Sequence, residues 1–470
     1  MTAAAVEDVD DIVIGAGQAG PFLAVKLAEA GRRVVVIEAR RVGGTCVNDG
    51  CTPTKTLRKS ARVAYLARRA AEFGVNVGPV EIDFAVAMQR MADRVDQSQS
   101  GLARWLAGVA GLEVIIAHGR LAGRDGDRFL IDAGPRRLRG ARVFLNTGTR
   151  PMVPPLPGLA DVAHLTNEDI LALRARPDHL IVIGGSYIGL ELGQIFRRLG
   201  SAVSVIEAAP RLTPREDVDV SEAIAGVLRT EGLALHLGVG VAAVAAAPAH
   251  GPRGVRVQLA DGRALEGSHL LVATGRVPGT AGLGLETIGL VPDPRGYLVT
   301  NHRLETAVPG VWALGDINRR GAFTHTSYHD HEIVAANLAG GDRSADARIM
   351  TYAMFTDPPL GHVGLYEAEA RALVAGGRRI SQAVIAMADV SRAKEESETA
   401  GLIKLLLDDE SGHFLGATML GLNADEIIQT IGQVMAAGGT WRGVRDALPV
   451  HPTVTEFLPT VLDRRRPLLP

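Results

Sequence analysis

Two cysteines, Cys46 and Cys51, stand five positions apart in the segment GGTCVNDGCTPTK at residues 43–55, and the chain has no other cysteine. On a regular α-helix, residues with this spacing have Cα atoms roughly 8–9 Å apart, whereas a disulfide needs less than about 7 Å. A bonded pair therefore requires a distorted turn, which the glycines and the proline of the segment can provide. Strained, accessible disulfides are easily reduced, and a helix N-terminus favours a thiolate. The spacing indicates a redox-active pair.

The same two cysteines are also compatible with buried thiols that have no chemical role, and with metal storage. Two thiolates make an incomplete zinc site, and a reducing compartment does not favour a structural disulfide. We therefore interpret the pair as redox-active and expect no resident metal.

A histidine and a carboxylate lie close together near the C-terminus, as His451 and Glu456 in the motif HPTVTE. A carboxylate five residues from a histidine can orient the ring and raise its basicity. A lone histidine is usually structural, but disulfide exchange needs an acid and base. The motif is therefore a candidate proton-transfer pair for the cysteines.

The elements that must position these residues include a repeat. Residues 11–38 and 180–207 each show an apolar strand, a glycine turn, an amphipathic stretch and a second apolar strand that ends in an acid. Gly15 precedes Glu38 by 23 residues, and Gly184 precedes Glu207 by the same interval. Two glycine turns in matching context predict two dinucleotide-binding βαβ units.

Each part of this pattern has a physical role. The glycines let the backbone approach a pyrophosphate, which binds amides at the helix N-terminus, and the acid accepts hydrogen bonds from a ribose. Ser186 replaces the middle glycine of the second turn, and we expect this small residue to be tolerated there. The alternative is a doubly wound fold with a vestigial site.

The rest of the chain shows where the domains change. Residues 142–151 resemble residues 269–278, since each is an apolar strand that ends in Thr-Gly with a proline close behind. These two segments indicate the places where the chain leaves one domain and enters the next. After about residue 346 the pattern changes to short strands and helices, which predicts a separate α+β domain. We expect the tail, residues 463–470, to be a loose end.

Composition excludes several classes of protein. The 470 residues are 47% hydrophobic and 22% charged, which is ordinary for a globular chain and excludes disorder. The formal net charge of −2 argues against nucleic acid or an anionic membrane as a partner. No apolar run approaches the roughly 20 residues that span a bilayer, and the acidic N-terminal region is unlike a secretory signal. We expect a cytoplasmic protein.

The motifs together resemble the class I pyridine nucleotide-disulfide oxidoreductases, a family that includes dihydrolipoyl dehydrogenase, glutathione reductase and mercuric reductase. The resemblance covers nearly the whole chain. It rests on GAGQAG at 15–20, GGTCVNDGCTPTK at 43–55, GGSYIGLE at 184–191, ATGRVP at 273–278, ALGD at 313–316 and HPTVTE at 451–456.

This resemblance implies an α/β fold with two Rossmann-like domains, one for FAD and one for NAD(P), and a C-terminal α+β dimerisation domain. It also implies a homodimer whose active sites are shared between subunits. The expected boundaries are 1–150 for the FAD domain, 151–272 for the NAD(P) domain, 273–345 for a return segment of the FAD domain and 346–470 for the interface domain.

The resemblance also implies roles for individual residues. Cys51 would face the flavin and Cys46 the substrate, His451 of the other subunit with Glu456 would manage the proton, and Lys55 would sit near the flavin and pair with Glu191. The residues expected to bind FAD are Gly15, Gly17, Gly20, Glu38, Gly44, Thr45, Lys55, Gly119, Thr147, Gly148, Asp316 and Thr324. Those expected at the nicotinamide dinucleotide are Gly184, Tyr187, Gly189, Glu207 and Gly275, with Tyr187 covering the flavin until nicotinamide enters.

The implied function is an FAD-dependent NAD(P)H oxidoreductase that passes electrons through a Cys46–Cys51 disulfide to a small disulfide or a soft metal ion. The cysteine motif is most similar to mercuric-reductase-like members, whereas mercuric reductases proper carry a second C-terminal cysteine pair and lack the histidine–glutamate pair. Dihydrolipoyl dehydrogenase of a 2-oxoacid dehydrogenase complex is the alternative enzyme, and a docking subunit is the non-enzymatic alternative. Glu207 favours NADH, because its charge repels the 2′-phosphate of NADPH.

Overall fold

The computed structural model describes residues 6–470 and shows a chain folded into two compact units. The first unit comprises residues 6–56, 88–152 and 275–348. The second unit comprises residues 57–87, 153–274 and 349–470. Among the helices of residues 6–470, none has both the length and the apolar character needed to cross a membrane.

The elements are numbered along the chain. The strands are β1 (Val6–Asp8), β2 (Asp11–Ile14), β3 (Val34–Glu38), β4 (Leu112–Ile116), β5 (Gly119–Asp125), β6 (Arg128–Ala133), β7 (Arg136–Gly140), β8 (Arg142–Leu145), β9 (Thr149–Pro151), β10 (His164–Leu165), β11 (His179–Ile183), β12 (Ala202–Glu207), β13 (Ala234–Leu237), β14 (Val241–Ala246), β15 (Val255–Leu259), β16 (Ala264–Gly267), β17 (His269–Val272), β18 (Arg276–Pro278), β19 (Val311–Ala313), β20 (Thr351–Met354), β21 (Leu360–Gly364), β22 (Ile380–Ala386), β23 (Leu402–Asp408), β24 (Phe414–Leu420) and β25 (Arg466–Pro467). The helices are α1 (Gly20–Glu29), α2 (Gly44–Asp49), α3 (Cys51–Arg69), α4 (Phe84–Ala107), α5 (Tyr187–Arg198), α6 (Val218–Thr230), α7 (Thr324–Leu338), α8 (Glu367–Ala375), α9 (Ser391–Glu395), α10 (Ala424–Ala436), α11 (Trp441–Asp446) and α12 (Leu458–Asp463).

A five-stranded parallel sheet forms the centre of the first unit, in the order β19-β8-β2-β3-β4. Its strands β2 and β3 are buried along nearly their whole length, as expected for parallel strands covered on both faces. Because the strands run in one direction, their carboxyl ends meet at one edge. The first glycine turn, Glu38, Asn146 and Asp316 follow or end these strands and therefore collect at that edge.

Two smaller sheets complete the first unit. One is a four-stranded sheet in the order β1-β7-β6-β5, and the other is the antiparallel pair β9–β18. Apolar side chains from β2, β3 and the four-stranded sheet share one core, which includes Ile12, Ile37, Phe129 and Ile131.

The second unit repeats the parallel arrangement in the order β10-β17-β11-β12-β13. The second glycine turn follows β11 and Glu207 ends β12. The turn and its acid therefore lie together at the carboxyl ends of these parallel strands, as in the first unit. An antiparallel three-stranded sheet, β14-β15-β16, accompanies it.

The same unit contains a six-stranded antiparallel sheet in the order β20-β21-β24-β23-β22-β25. The strands expected at residues 402–407 and 414–420 are present as β23 and β24. The expectation of a loose tail is wrong, because β25 pairs with β22 and Leu468 is buried against Ile380 and its neighbours. The apolar residue at position 468 gives the last strand a place in the core.

Candidate active site

The cysteine pair lies on a helix that is broken between its two members. Helix α2 ends at Asp49, Gly50 adopts φ −140° and ψ −109°, and α3 begins at Cys51. A Cβ at position 50 would come within 2.9 Å of the Thr45 carbonyl oxygen, so glycine permits this close approach. The distorted turn predicted from the sequence is therefore present.

Buried hydrogen bonds fix the two sides of this turn. The Asn48 side-chain amide donates to the Gly44 carbonyl at 2.9 Å and to the Val42 carbonyl at 3.0 Å. The Thr54 hydroxyl donates to the Gly50 carbonyl at 2.8 Å. The turn is thus held by side chains of the cysteine motif itself.

The structure shows both cysteines as half-buried thiols, which is the reduced form of the predicted disulfide. The pKa of Cys46 lies well above its ordinary value, first because of its hydrogen bond with Cys51, then because of burial and the charge of the Cys51 thiolate. The Thr324 hydroxyl and the Lys55 ammonium act in the opposite direction. The Cys51 sulfur lies 3.1 Å from the Thr324 hydroxyl oxygen. The surroundings of Cys46 therefore favour its protonated form.

The first glycine turn is shaped by a side chain that sequence analysis missed. Gly15 has φ +104°, and a Cβ there would lie 2.3 Å from the Asn146 carbonyl oxygen. The Asn146 side-chain oxygen accepts from the Gly20 amide at 2.9 Å, and its side-chain nitrogen donates to the Leu314 carbonyl at 2.9 Å. Asn146 thereby ties the N-terminus of α1 to the strand ends on either side. In the matching segment its position is held by Ala273, and that difference was the available sequence signal.

The acid that ends β3 is fixed by backbone amides. The Glu38 carboxylate accepts from the Ala16 amide at 2.8 Å through one oxygen and from the Arg40 amide at 2.9 Å through the other. Its carboxylate is therefore oriented beside the glycine turn, at the place where an adenosine ribose is expected.

The second glycine turn repeats this arrangement. The Glu207 carboxylate accepts from the Gly185 amide at 2.7 Å and from the Ala209 amide at 2.8 Å. Gly184 has φ +115°, and a Cβ there would lie 2.3 Å from the Ala273 carbonyl oxygen. Ser186 has φ −118°, a conformation open to any residue, which explains why serine is tolerated at this position.

Asp316 is a buried carboxyl group at the end of the parallel sheet. Burial raises its pKa, while the Arg276 charge and a hydrogen bond from Thr149 act to lower it. The Thr149 hydroxyl lies 3.1 Å from the Asp316 carboxylate, and the Arg276 guanidinium donates to the Thr149 hydroxyl at 2.7 Å. A second nitrogen of Arg276 lies 3.3 Å from the Thr45 hydroxyl. Arg276 and Thr149 are further site residues that the sequence motifs did not single out.

The structure brings most of the remaining residues predicted for FAD to the same edge of the first unit. Thr147 donates its hydroxyl to the Gly279 carbonyl at 2.8 Å, and Thr324 begins α7. Gly119 begins β5 and packs against Ile14 and Ile37, a close contact that already accounts for a glycine there. Of the other positions predicted for FAD, Gly20 begins α1, Gly44 begins α2, and Gly17 and Gly148 lie in turns. Gly275, which was predicted for the nicotinamide dinucleotide, precedes β18.

Helix α5 of the second unit carries three more predicted residues and begins directly after the Gly184 turn, with Gly189 in its first turn. Its first residue, Tyr187, donates its hydroxyl to the Glu216 carboxylate at 2.8 Å. Glu191 accepts from the Phe355 amide at 2.8 Å. Lys55 belongs to the first unit and Glu191 to the second, and their pairing stays a prediction.

The predicted proton-transfer pair forms within the second unit. His451 Nδ1 lies 2.8 Å from Glu456 Oε2, and the His451 side chain is 77% exposed whereas that of Glu456 is 12% exposed. Because a carboxylate only accepts hydrogen bonds, Nδ1 donates, and Nε2 of the neutral ring is left with a lone pair. The arrangement can take up and return a proton at Nε2.

Three carboxylates in the second unit lie close enough together to hold a cation: Asp217, Asp219 and Glu367. The Lys404 ammonium lies among them, at 3.1, 2.6 and 2.8 Å respectively. Lys404 itself is 1% exposed whereas Asp219 is exposed, so the cluster is an ion-pair network around a buried ammonium group.

The residues present fit two bound dinucleotides. In both glycine turns a Cβ would strike the backbone oxygen at the end of a neighbouring strand, so glycine allows the turn to pack there and to lead into a helix N-terminus, where a pyrophosphate binds. Each turn has its acid held in place, and Asp316 stays a predicted FAD contact.

Comparisons with known proteins agree with this geometry. Residues 9–330 match the family described as pyridine nucleotide-disulphide oxidoreductase, and residues 350–462 match the dimerisation domain of that family. The chain is 34% identical over 452 residues to the probable pyridine nucleotide-disulfide oxidoreductase RclA of Escherichia coli, covering 95% of this chain and 97% of that protein.

Two other relatives carry different names. Mercuric reductase of Streptomyces lividans is 33% identical and covers 92% of this chain and 90% of its own length. Dihydrolipoyl dehydrogenase of Chlorobaculum tepidum is 32% identical and covers 95% of both chains. Among solved structures, a Cu(II) complex of HOCl-induced flavoprotein disulfide reductase RclA from Escherichia coli has a TM-score of 0.87 at 32% identity, covering 97% of this chain and 99% of that one.

These findings confirm the family resemblance and the fold class predicted from the sequence. Members of the family are FAD-dependent and use NAD(P)H, and the dimerisation domain supports a homodimer. The chain belongs to the class I pyridine nucleotide-disulfide oxidoreductases and is a flavoprotein oxidoreductase of that family.

Proposed function

We propose that this chain is a cytoplasmic, FAD-dependent NAD(P)H oxidoreductase that reduces a small-molecule disulfide through Cys46 and Cys51. The observation that carries the proposal is the hydrogen-bonded pair of Cys46 and Cys51 on either side of the break between α2 and α3. In this assignment residues 1–150 and 273–345 hold FAD, residues 151–272 hold the nicotinamide dinucleotide, and residues 346–470 form the subunit interface. When bound, FAD and NAD(P)H supply the two electrons that keep the pair reduced.

The raised pKa of Cys46 makes a base necessary. The hydrogen bond with Cys51 and burial favour the protonated form of Cys46, and only a thiolate attacks a disulfide, so Cys46 must lose a proton first. We assign this proton to Nε2 of the partner subunit's His451, which Glu456 holds through Nδ1. The high exposure of this histidine supports an assignment in which it serves another subunit.

The exchange then balances in two steps. The Cys46 thiolate attacks the substrate disulfide, whose S–S bond breaks as a Cys46–substrate disulfide forms, and the leaving thiolate takes the proton from His451. The Cys51 thiolate next attacks the Cys46 sulfur and releases the second substrate sulfur as a thiolate, which takes a proton from solvent. Two electrons leave the cysteine pair and two reach the substrate.

A soft metal ion is the second candidate acceptor. The RclA structure with a TM-score of 0.87 is described as a Cu(II) complex, and thiolates are soft ligands that suit copper. Oxidation of the pair to a disulfide releases two electrons, which would reduce two Cu(II) ions to Cu(I). This route needs no proton donor for a leaving thiolate, and so the histidine–glutamate pair favours the disulfide.

A panel of acceptors separates these candidates. Purified holoenzyme would be assayed anaerobically with NADH and either a small disulfide, such as oxidised glutathione or lipoamide, or Cu(II) with a Cu(I) chelator. Turnover of a disulfide that is lost in Cys46→Ser supports the proposal. Turnover of Cu(II) alone supports the second candidate. A parallel assay with dihydrolipoamide and NAD⁺ measures the reverse direction, and an oxidation faster than every reduction favours dihydrolipoyl dehydrogenase. No turnover in any assay favours a docking subunit.

A further inference from the structure

A buried carboxyl group in the second unit has no part in the chemistry assigned so far. Glu216 is 1% exposed and lies in the segment between β12 and α6. Its Oε1 accepts from the Tyr187 hydroxyl at 2.8 Å and from the Tyr352 hydroxyl at 2.6 Å. Its Oε2 is buried with no hydrogen-bond partner among residues 6–470. Such an arrangement is costly, because an unsatisfied buried carboxyl oxygen loses its hydration without compensation.

The segment that carries Glu216 is anchored to the second glycine turn. The Thr213 amide donates to the Gly185 carbonyl at 2.9 Å, and the Glu216 amide donates to the Thr213 carbonyl at 2.9 Å. Thr213 has φ +41°, a strained conformation for a β-branched residue. The backbone thus holds the Glu216 side chain in a fixed position relative to the start of α5.

The other side of Glu216 is fixed by the six-stranded sheet. The hydroxyls of Tyr352 and Tyr366 lie 2.7 Å apart, and the His362 ring stacks on Tyr366 with centroids 4.1 Å apart. The His362 ring nitrogens lie 2.8 Å from the Thr418 hydroxyl and 3.0 Å from the Gly364 carbonyl. Tyr187 is therefore linked through one carboxyl group to a rigid chain of side chains.

Burial raises the pKa of the acidic groups in this chain of side chains. It raises the pKa of Glu216, and it raises the pKa of Tyr366 to about 12. It also raises the pKa of Tyr187, an effect that the charge of Glu216 strengthens. The tyrosine hydroxyls consequently keep their protons and remain donors at neutral pH.

Tyr187 lies beside the second glycine turn, where the proposed function places a dinucleotide. It is the first residue of α5, directly after the Gly184 turn, and its side chain is half-buried. In open α/β sheets, ligands bind at the carboxyl ends of the strands beside such turns. If the proposed function is right and a nicotinamide ring enters beside this turn, the Tyr187 ring would have to move aside, and its hydrogen bond to Glu216 would break.

We propose that Glu216 is a positioning residue that holds the Tyr187 ring closed beside the second glycine turn and thereby weakens binding of the nicotinamide dinucleotide. This inference rests on the proposed function, in which that turn binds NAD(P)H. Removal of the bond at either end should therefore tighten dinucleotide binding.

The test measures binding of a hydride-inert probe, 1,4,5,6-tetrahydro-NAD, to the holoenzyme by isothermal titration calorimetry. Tyr187→Phe and Glu216→Met should each lower the Kd about five- to tenfold, the worth of one buried hydrogen bond. The double variant should show the same Kd as either single variant, because both changes remove one interaction. Glu216→Gln, which retains an acceptor oxygen, should lie between wild type and Glu216→Met.

A matched control comes from the outer end of the same chain of side chains. Tyr366→Phe removes a hydroxyl that does not touch Glu216, and it should change the Kd less than twofold. Thermal unfolding and FAD content of each variant report folding separately from binding. If Glu216→Met does not fold, Tyr187→Phe and Glu216→Gln still carry the comparison.

The outcomes distinguish this inference from the proposed function. An unchanged or weaker Kd in the Glu216 variants, or fully additive effects in the double variant, overturns the inference while wild-type binding keeps the proposed function intact. If wild type does not bind the probe and NADH does not bleach its flavin, both the inference and the proposed function are wrong.

Discussion

His451 Nδ1 lies 2.8 Å from Oε2 of Glu456, although the histidine side chain is 77% exposed and the glutamate is nearly buried. The carboxylate therefore fixes the tautomer of a ring whose other nitrogen faces outward. An exposed histidine fixed in this way is suited to serve a sulfur that belongs to another subunit.

This pair should control the proton in disulfide reduction. His451→Asn should lower kcat for a small disulfide about 100-fold, because general acid–base catalysis contributes at least that factor. Glu456→Gln should lower it about tenfold, since the ring keeps its nitrogen but loses its orientation. Steady-state assays at several pH values would measure both effects.

A matched control uses a second exposed histidine–glutamate pair of the same unit. His250 Nε2 lies 2.9 Å from Glu266 Oε2, and His250→Asn should leave kcat unchanged. Mixed dimers test the sharing of sites, since a Cys46→Ala subunit combined with a His451→Ala subunit should recover part of the activity. Equal losses in the His250 and His451 variants would contradict this role.

The two cysteines should give different spectra. If Cys51 faces the flavin, its thiolate should produce a long-wavelength charge-transfer band with oxidised FAD. Cys46→Ser should keep this band, because Cys51 remains as a thiolate, and Cys51→Ser should abolish it. Absorbance spectra of the two-electron-reduced wild type and of both variants with their FAD oxidised measure the difference.

Alkylation provides an independent check on the same assignment. Iodoacetamide should modify Cys46 first in the reduced enzyme, because Cys46 is assigned as the outer thiol. Loss of the band in Cys46→Ser with retention in Cys51→Ser would reverse the inner and outer positions.

Glu207 should make the enzyme prefer NADH. Its carboxylate is held by the amides of Gly185 and Ala209, and a fixed negative charge there repels a 2′-phosphate. We expect kcat/KM for NADH to exceed that for NADPH at least tenfold, and Glu207→Gln to reduce the ratio.

The control for this prediction is Glu222→Gln, which changes an exposed glutamate on α6 and should leave the ratio unchanged. Arg211 lies four residues after Glu207 and could receive a phosphate. A clear preference of the wild type for NADPH would show that Arg211 outweighs Glu207.

Lys404 should stabilise the second unit through its three carboxylates. Lys404→Met leaves them without their cation and should lower the free energy of unfolding by about 2 kcal/mol, less than the loss of a fully buried ion pair because Asp219 is exposed. Burial alone would raise the pKa of Glu367, but hydrogen bonds from Lys404, Arg371 and Gln382 outweigh it and hold the pKa at about 2. The stabilisation that comes from ionised Glu367 is therefore complete above the ordinary glutamate pKa of about 4.5. It is lost as the pH falls toward the folded-state pKa of about 2.

Urea denaturation of wild type and Lys404→Met at pH 7 and pH 3 would measure both effects. The difference in free energy of unfolding between wild type and Lys404→Met should be smaller at pH 3, because Glu367 is then partly protonated and its ion pair with Lys404 contributes less. Lys59→Met, at an exposed lysine, should change stability by less than about 0.5 kcal/mol. A loss in Lys404→Met no larger than in Lys59→Met would contradict the role of the network.

Local spacing predicted the parts of the site that depend on the backbone. The interval between Gly15 and Glu38, and its repeat in the second copy, predicted both turns, since a glycine turn and its acid lie within one βαβ unit. The spacing of the cysteines likewise predicted a broken helix, which Gly50 provides.

Partners that are distant in sequence could not be predicted in this way. Asn146 contacts Gly20 from 126 residues away, and Tyr352 contacts Glu216 from 136 residues away. No periodicity encodes these contacts, because they depend on how strands are ordered in the folded sheets. The tail was misjudged for the same reason, since β25 owes its structure to pairing with β22.

Transfer of electrons from NADH to Cys46 and Cys51 is the central claim. The most direct measurement adds one equivalent of NADH per subunit to the oxidised holoenzyme without oxygen, alkylates the thiols and maps them by mass spectrometry. We predict two new alkylated thiols per subunit, at Cys46 and Cys51, because one NADH carries the two electrons that a disulfide needs. A bleached flavin with no gain in alkylation at either cysteine would contradict the claim.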